Sequence, residues 1–65
     1  MNETESLLTQ REKEVMYSLS KGLTYKKIAV QLKVSHETIK MHLKNIYRKL
    51  QVKNKIEALI KFKLL

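Results

Sequence analysis

The chain has no cysteine, no proline, no aspartate and a single glycine. Without cysteine there is no disulfide framework, no thiolate zinc site and no cysteine nucleophile. Without aspartate there is neither a phosphoacceptor Asp nor the Asp of a catalytic triad. One glycine excludes a glycine-rich phosphate loop, and with no proline it also excludes collagen-like, low-complexity and turn-rich all-β chains. No apolar run approaches the 18 or more residues of a membrane-spanning helix. The first residues are polar and acidic, unlike a secretory signal. These absences point to a soluble cytoplasmic protein that is not an enzyme.

What remains is small, basic and apolar enough to fold. At 65 residues, one domain covering 1–65 is expected, with 1–6 (MNETES) as a flexible arm that lacks apolar periodicity. A chain of this size buries only about 60% of its unfolded surface, so its core is marginal. The apolar share is 43%, too high for a disordered basic tail, and the net charge is +8. That charge is unevenly spread. Residues 1–20 carry four Glu against Arg11 and Lys13, whereas residues 21–65 carry twelve basic groups against Glu37 and Glu57. A positive surface gathered on one part of a small domain suits a polyanion, nucleic acid first and an anionic membrane second.

From Leu7 onward the hydrophobic period is helical, and four helices with no strand are predicted. Thr9 caps the first, with Glu12 three residues on to close a capping box. Val15, Met16 and Leu19 are its inward stripe, and Lys21–Gly22 end it with glycine in the left-handed conformation. Thr24 caps a short second helix with Ile28, Ala29 and Leu32 inward. Ser35 opens the third and longest, about His36 to Leu50. There Ile39, Leu43, Ile46 and Leu50 recur at i, i+4, i+7 and i+11, a narrow core stripe. Asn54 starts the fourth, with Glu57 again at capping-box spacing. Its residues Ile56, Leu59 and Ile60 form one stripe, expected to face the core, and Ala58, Phe62 and Leu65 form another, expected to serve as a dimer seam.

The second and third helices, joined by a three-residue turn with the small Ala29 in the first, make a helix-turn-helix. Lys33 holds the turn position where glycine is common and calls for a left-handed conformation. On the side of the third helix away from its core stripe project Glu37, Lys40, Met41, Lys44 and Arg48. Lysines can donate to guanine O6 and N7, Met41 can touch a thymine methyl, and Glu37 can accept from cytosine N4. Arg48, farther along the ridge, suits a phosphate. So do the Ser35 and Thr38 hydroxyls at the helix start, and Tyr25 at the start of the second helix.

At these positions the chain resembles the LuxR/GerE family of bacterial helix-turn-helix regulators. The resemblance runs from about Leu8 to Leu59. It begins with Leu8-Thr9-Gln10-Arg11-Glu12-Lys13-Glu14-Val15, like the family's LTxREKEV. It continues through Gly22, Lys27-Ile28-Ala29 and Leu32. Then come Val34-Ser35-His36-Glu37-Thr38-Ile39-Lys40-Met41-His42, like VSxxTVKxH, and Asn45-Ile46-Tyr47-Arg48-Lys49-Leu50, like NIYxKL. Val52 and Glu57-Ala58-Leu59 match the tail. The resemblance implies an all-α, four-helix domain whose base-reading positions fall on Lys40, Met41 and Lys44. It implies phosphate contacts near Thr24, Lys27, Ser35, Thr38, Asn54 and Lys55, and a dimer on inverted half-sites formed through the fourth helix. The chain departs from the pattern at Lys27, where an acid is common, at Gln51, where glycine is frequent, at Lys55, where arginine is usual, and at Met41, where valine is often seen.

The remaining polar residues support no other chemistry. His36 and His42, six apart, do not share a face at metal-ligand spacing, and no cofactor, metal or small-molecule site is expected. Glu12 reads as a capping or ion-pair residue, and Ser20 and Ser35 lack partners for nucleophilic catalysis. The expectation is a bacterial transcription regulator that binds double-stranded DNA on the nucleoid, possessing no membrane partner, with RNA polymerase as a further candidate partner. Two rivals are a promoter-recognition module like region 4 of a sigma factor and a basic amphipathic protein lying on membranes.

Overall fold

A computed structural model describes residues 7–64; the expected N-terminal arm and Leu65 lie outside the described residues. Four helices follow in order: α1 Gln10–Ser20, α2 Tyr25–Leu32, α3 His36–Leu50 and α4 Lys55–Lys63. Among the described residues there is no strand.

Side-chain caps set where each helix begins. At α1 the capping box closes in both directions: the Glu12 N–H donates to Thr9 Oγ1 at 3.1 Å and the Thr9 N–H to Glu12 Oε1 at 2.8 Å. The Lys27 N–H donates to Thr24 Oγ1 at 3.1 Å, and the Thr38 N–H to Ser35 Oγ at 3.0 Å. At α4 half of the expected box forms. The Glu57 N–H donates to Asn54 Oδ1 at 2.9 Å, but Glu57 Oε1 accepts from the Lys53 N–H at 2.8 Å. Asn54 is fully extended (φ −157, ψ 175), so the carboxylate meets the preceding amide.

The helix ends share one solution. After α1, α2 and α3 a left-handed residue turns the chain: Gly22 (φ 86), Lys33 (φ 58) and Gln51 (φ 57). Each turn closes with the paired bonds of a Schellman motif. The Leu23, Val34 and Val52 amides donate back to the Ser18, Ala29 and Tyr47 carbonyls, at 3.3, 3.0 and 3.0 Å. The first costs nothing at glycine. The other two hold side chains in a region that disfavours them.

The core lies between the helices. Leu8, Val15, Met16, Leu19, Ile28, Ala29, Ile39, Leu43, Ile46, Leu50 and Ala58 are its buried apolar residues. All four residues of the expected α3 stripe are among them. Leu8, which has no apolar partner at Lys13 for a hydrophobic staple, packs into the core itself.

The two expected faces of α4 are exchanged. Ala58 is 0% exposed and Phe62 packs on the core, while Ile56 and Ile60 stand 62% and 57% exposed. Ala58 is therefore taken up by the core and unavailable to a dimer seam, and Phe62 is partly buried against the core. Only Leu59 of the expected inward stripe packs against the core. Alanine at the contact lets α4 approach its neighbours closely. Lys61 fixes the orientation, donating from Nζ to the Leu50 carbonyl at the end of α3, at 2.8 Å.

Replacing Gln51 by Gly should raise stability by about 0.5–1 kcal/mol, because relief of the left-handed side chain exceeds the added freedom of the unfolded chain. In a 65-residue domain the midpoint of thermal unfolding, followed by circular dichroism, should rise by about 3–6 °C.

Candidate nucleic-acid interface

The site is the ridge of α3 opposite its apolar stripe. With Ile39, Leu43, Ile46 and Leu50 buried, helical geometry leaves Glu37, Lys40, Met41, Lys44 and Arg48 facing water, and all five are exposed. Met41 is 55% exposed, a large apolar side chain between two lysines. Neither Lys40 nor Lys44 has a hydrogen bond or ion pair among the described residues. Arg48 donates to Asn45 Oδ1 at 3.2 Å, which leaves the guanidinium further donors.

At the start of α3, Ser35 Oγ lies 2.9 Å from Thr38 Oγ1, so two hydroxyls and the first free amides of the helix converge. Thr24 and Lys27 occupy the equivalent place on α2. With Lys26, Val30 and Gln31 they line an open recess of about 400 Å³. Asn54 and Lys55 are exposed at the start of α4. The expected positions thus lie along α2, the turn after it and α3, while Asn54 and Lys55 come after the end of α3.

Tyr25 has a packing role that its sequence context does not announce. It is half-buried against the core edge, with its ring 6.1 Å from that of His36 at 46°. Beside it lies Tyr47, whose hydroxyl is buried and has no hydrogen-bond partner among the described residues. Burial first, and then the adjacent Tyr25 phenol, push Tyr47 up to about 12. The Tyr25 hydroxyl falls outside hydrogen-bonding geometry. Both rings brace the angle between α2 and α3.

The orientation of α3 also depends on a contact that no local pattern reveals. Lys49, the one basic residue of α3 turned inward, donates from Nζ to Glu12 Oε1 across 37 positions, at 2.8 Å. Glu12 is 3% exposed and so serves both readings given to it, cap and ion pair. Burial alone would raise its carboxyl. The Lys49 hydrogen bond, the Thr9 amide and the Lys49 charge outweigh burial, and its pKa lies below the ordinary 4.5. Among the described residues no cluster of three or more His and acidic side chains could hold a metal. Nor is any helix among them long and apolar enough to cross a membrane.

A short helix crossing a longer one through a tight left-handed turn, with the longer helix presenting a cationic ridge, defines a helix-turn-helix domain. The family model for "Bacterial regulatory proteins, luxR family" (GerE) matches residues 6–62, and the chain belongs to that family. It is a DNA-binding domain of the transcriptional-regulator type, not of an enzyme class. The nitrate/nitrite response regulator protein NarP of Escherichia coli (strain K12) is 44% identical over 57 residues, 88% of this chain and 26% of that protein. The CsgBAC operon transcriptional regulatory protein of the same organism is 47% identical over 58 residues, 88% of this chain and 27% of that protein. The transcriptional activator protein CarR of Pectobacterium carotovorum subsp. carotovorum is 42% identical over 60 residues, 92% of this chain and 25% of that protein. The chain thus spans about a quarter of the length of these relatives.

The lowered carboxyl of Glu12 stabilises the fold above its unfolded value and loses that contribution as pH falls through the folded one. Glu12→Gln should therefore cost about 2 kcal/mol at pH 7, by leaving Lys49 half-buried and unpaired. The gap to the parent should narrow as pH falls through the folded carboxyl's lowered pKa, where the parent's carboxyl also becomes neutral. Urea unfolding of both proteins at pH 7 and pH 3 checks this.

Proposed function

We propose that the chain binds double-stranded DNA sequence-specifically as the DNA-reading module of a bacterial transcription regulator, with α3 in the major groove. The supporting observation is the ridge Lys40–Met41–Lys44, exposed and, among the described residues, without side-chain hydrogen bonds or ion pairs, on a helix whose other side is committed to the core. Lys40 and Lys44 donate to guanine edges, Met41 meets a thymine methyl and Glu37 accepts from a cytosine amine. Thr24, Lys27, Ser35, Thr38, Arg48, Asn54 and Lys55, with Tyr25 at the margin, hold phosphates. These contacts supply affinity that falls with salt, through counterion release, while the base contacts supply discrimination.

The same reading takes the whole chain as one such domain, acting as a dimer on inverted half-sites through α4. The seam is the exposed stripe of Ile56 and Ile60, extended by Leu64 at 78% exposure. These three stand at i, i+4 and i+8, an apolar line that nothing among the described residues covers. The partners are operator DNA and a second copy of the chain, with RNA polymerase as the machinery on which binding acts, at the nucleoid in the cytoplasm.

Selection of duplexes from a random pool tests the central reading; a pool that stays random refutes it. On a selected site, Lys44→Ala should cost about 1–3 kcal/mol while barely changing affinity for random duplex. Lys27→Ala should weaken both alike and reduce the slope of log affinity against log salt by about one. Equal losses on the two duplexes for Lys44→Ala would remove it from the base-reading set. For the dimer, Ile60→Asp should abolish cooperative occupancy of paired half-sites, read by gel shift, and leave binding to a single half-site intact.

A further inference from the structure

We propose that Lys33, in the turn between α2 and α3, is a DNA-backbone contact held in a strained conformation for that purpose; the proposal rests on the DNA-binding reading above. Lys33 sits at φ 58, ψ 43, where glycine or asparagine would serve the same Schellman closure at lower cost. Its side chain is exposed and makes no hydrogen bond or ion pair among the described residues. No side-chain contact of Lys33 among the described residues therefore offsets the strain.

The position suggests what does. In a helix-turn-helix the first helix crosses the DNA backbone and the second enters the major groove. The connection between them passes the rim of that groove, where the phosphates run. Lys33 follows Lys26 and Lys27 on α2 and comes two residues before Ser35, whose hydroxyl opens α3. The whole stretch from Lys21 to His36 contains no acid to oppose it. A lysine there adds a phosphate contact that is blind to sequence. Gln51 has the same backbone conformation but is neutral and stands at the other end of α3, so it separates strain from charge.

The test measures thermal unfolding and duplex binding of the same proteins, with a selected site and a random-sequence duplex as probes. Lys33→Gly should be more thermostable than the parent, yet bind both duplexes about five- to tenfold more weakly, with a salt slope reduced by about one. Lys33→Arg should restore affinity at the parent's stability. Gln51→Gly should gain stability with affinity unchanged. If Lys33→Gly binds within twofold of the parent while Lys27→Ala loses affinity, the Lys33 assignment is overturned and the DNA reading stands. If the parent binds neither duplex, both fall together.

Discussion

Every other feature of this domain depends on the burial of one side of α3. Ile39, Leu43, Ile46 and Leu50 supply four of the eleven buried apolar residues and touch all the other helices through the core. A side chain fully removed from water contributes about 1.5–3 kcal/mol, so this stripe outweighs any single polar contact in the molecule. Its narrowness matters as much as its size. Four residues confined to one line leave the remaining circumference of the helix free, and the cations fall there by geometry rather than by any local preference.

A core this small leaves little to fix orientation, and polar contacts complete the task. Lys49 ties the later half of α3 to the cap of α1, and Lys61 ties its last turn to α4. Ala29 and the turn at Lys33 hold its beginning against α2. The acids are placed to match. Glu12 is consumed in the α1–α3 pair, Glu14 pairs with Arg11 at 3.2 Å, and Glu57 caps α4. Glu37 alone stands on the cationic ridge, in the first turn of α3, where the helix dipole favours it. The positive ridge persists because the other acids among the described residues are occupied elsewhere.

Helix starts and the α3 stripe were legible in the sequence because both follow from short-range rules. Thr9, Thr24, Ser35 and Asn54 are capping residues placed directly before periodic segments. The left-handed turn at Lys33 also follows from the spacing. The orientation of α4 does not. It has nine residues, carries apolar side chains around most of its circumference, and gives no period that favours one face. A single small residue, Ala58, decides which side can approach the core. The chain presents this only in three dimensions, and so Ala58 and Phe62, expected in a seam, turn toward the core instead. The Glu12–Lys49 pair, 37 positions apart, and the Tyr25–Tyr47 contact are invisible for the same reason. The assignment to bases and phosphates has a different source. It comes from residue chemistry on an exposed ridge and from family resemblance, and the fold adds to it that Glu37, Lys40, Met41, Lys44 and Arg48 are exposed.

The exchange of faces on α4 changes what the fourth helix can do. Had Ala58 and Phe62 formed the seam, dimerisation would have competed with folding for the same side chains. With Ile56 and Ile60 outward instead, α4 gives one side to its own core and leaves an apolar line exposed on another. Lys61 lies between these sides and bonds to the carbonyl of Leu50, the last residue of α3. That bond places the isoleucine stripe next to the end of the helix with the cationic ridge. On the dimer reading, the distance between two such ridges follows from how α4 packs against the end of α3. Half-site spacing would then be a property of the fold itself.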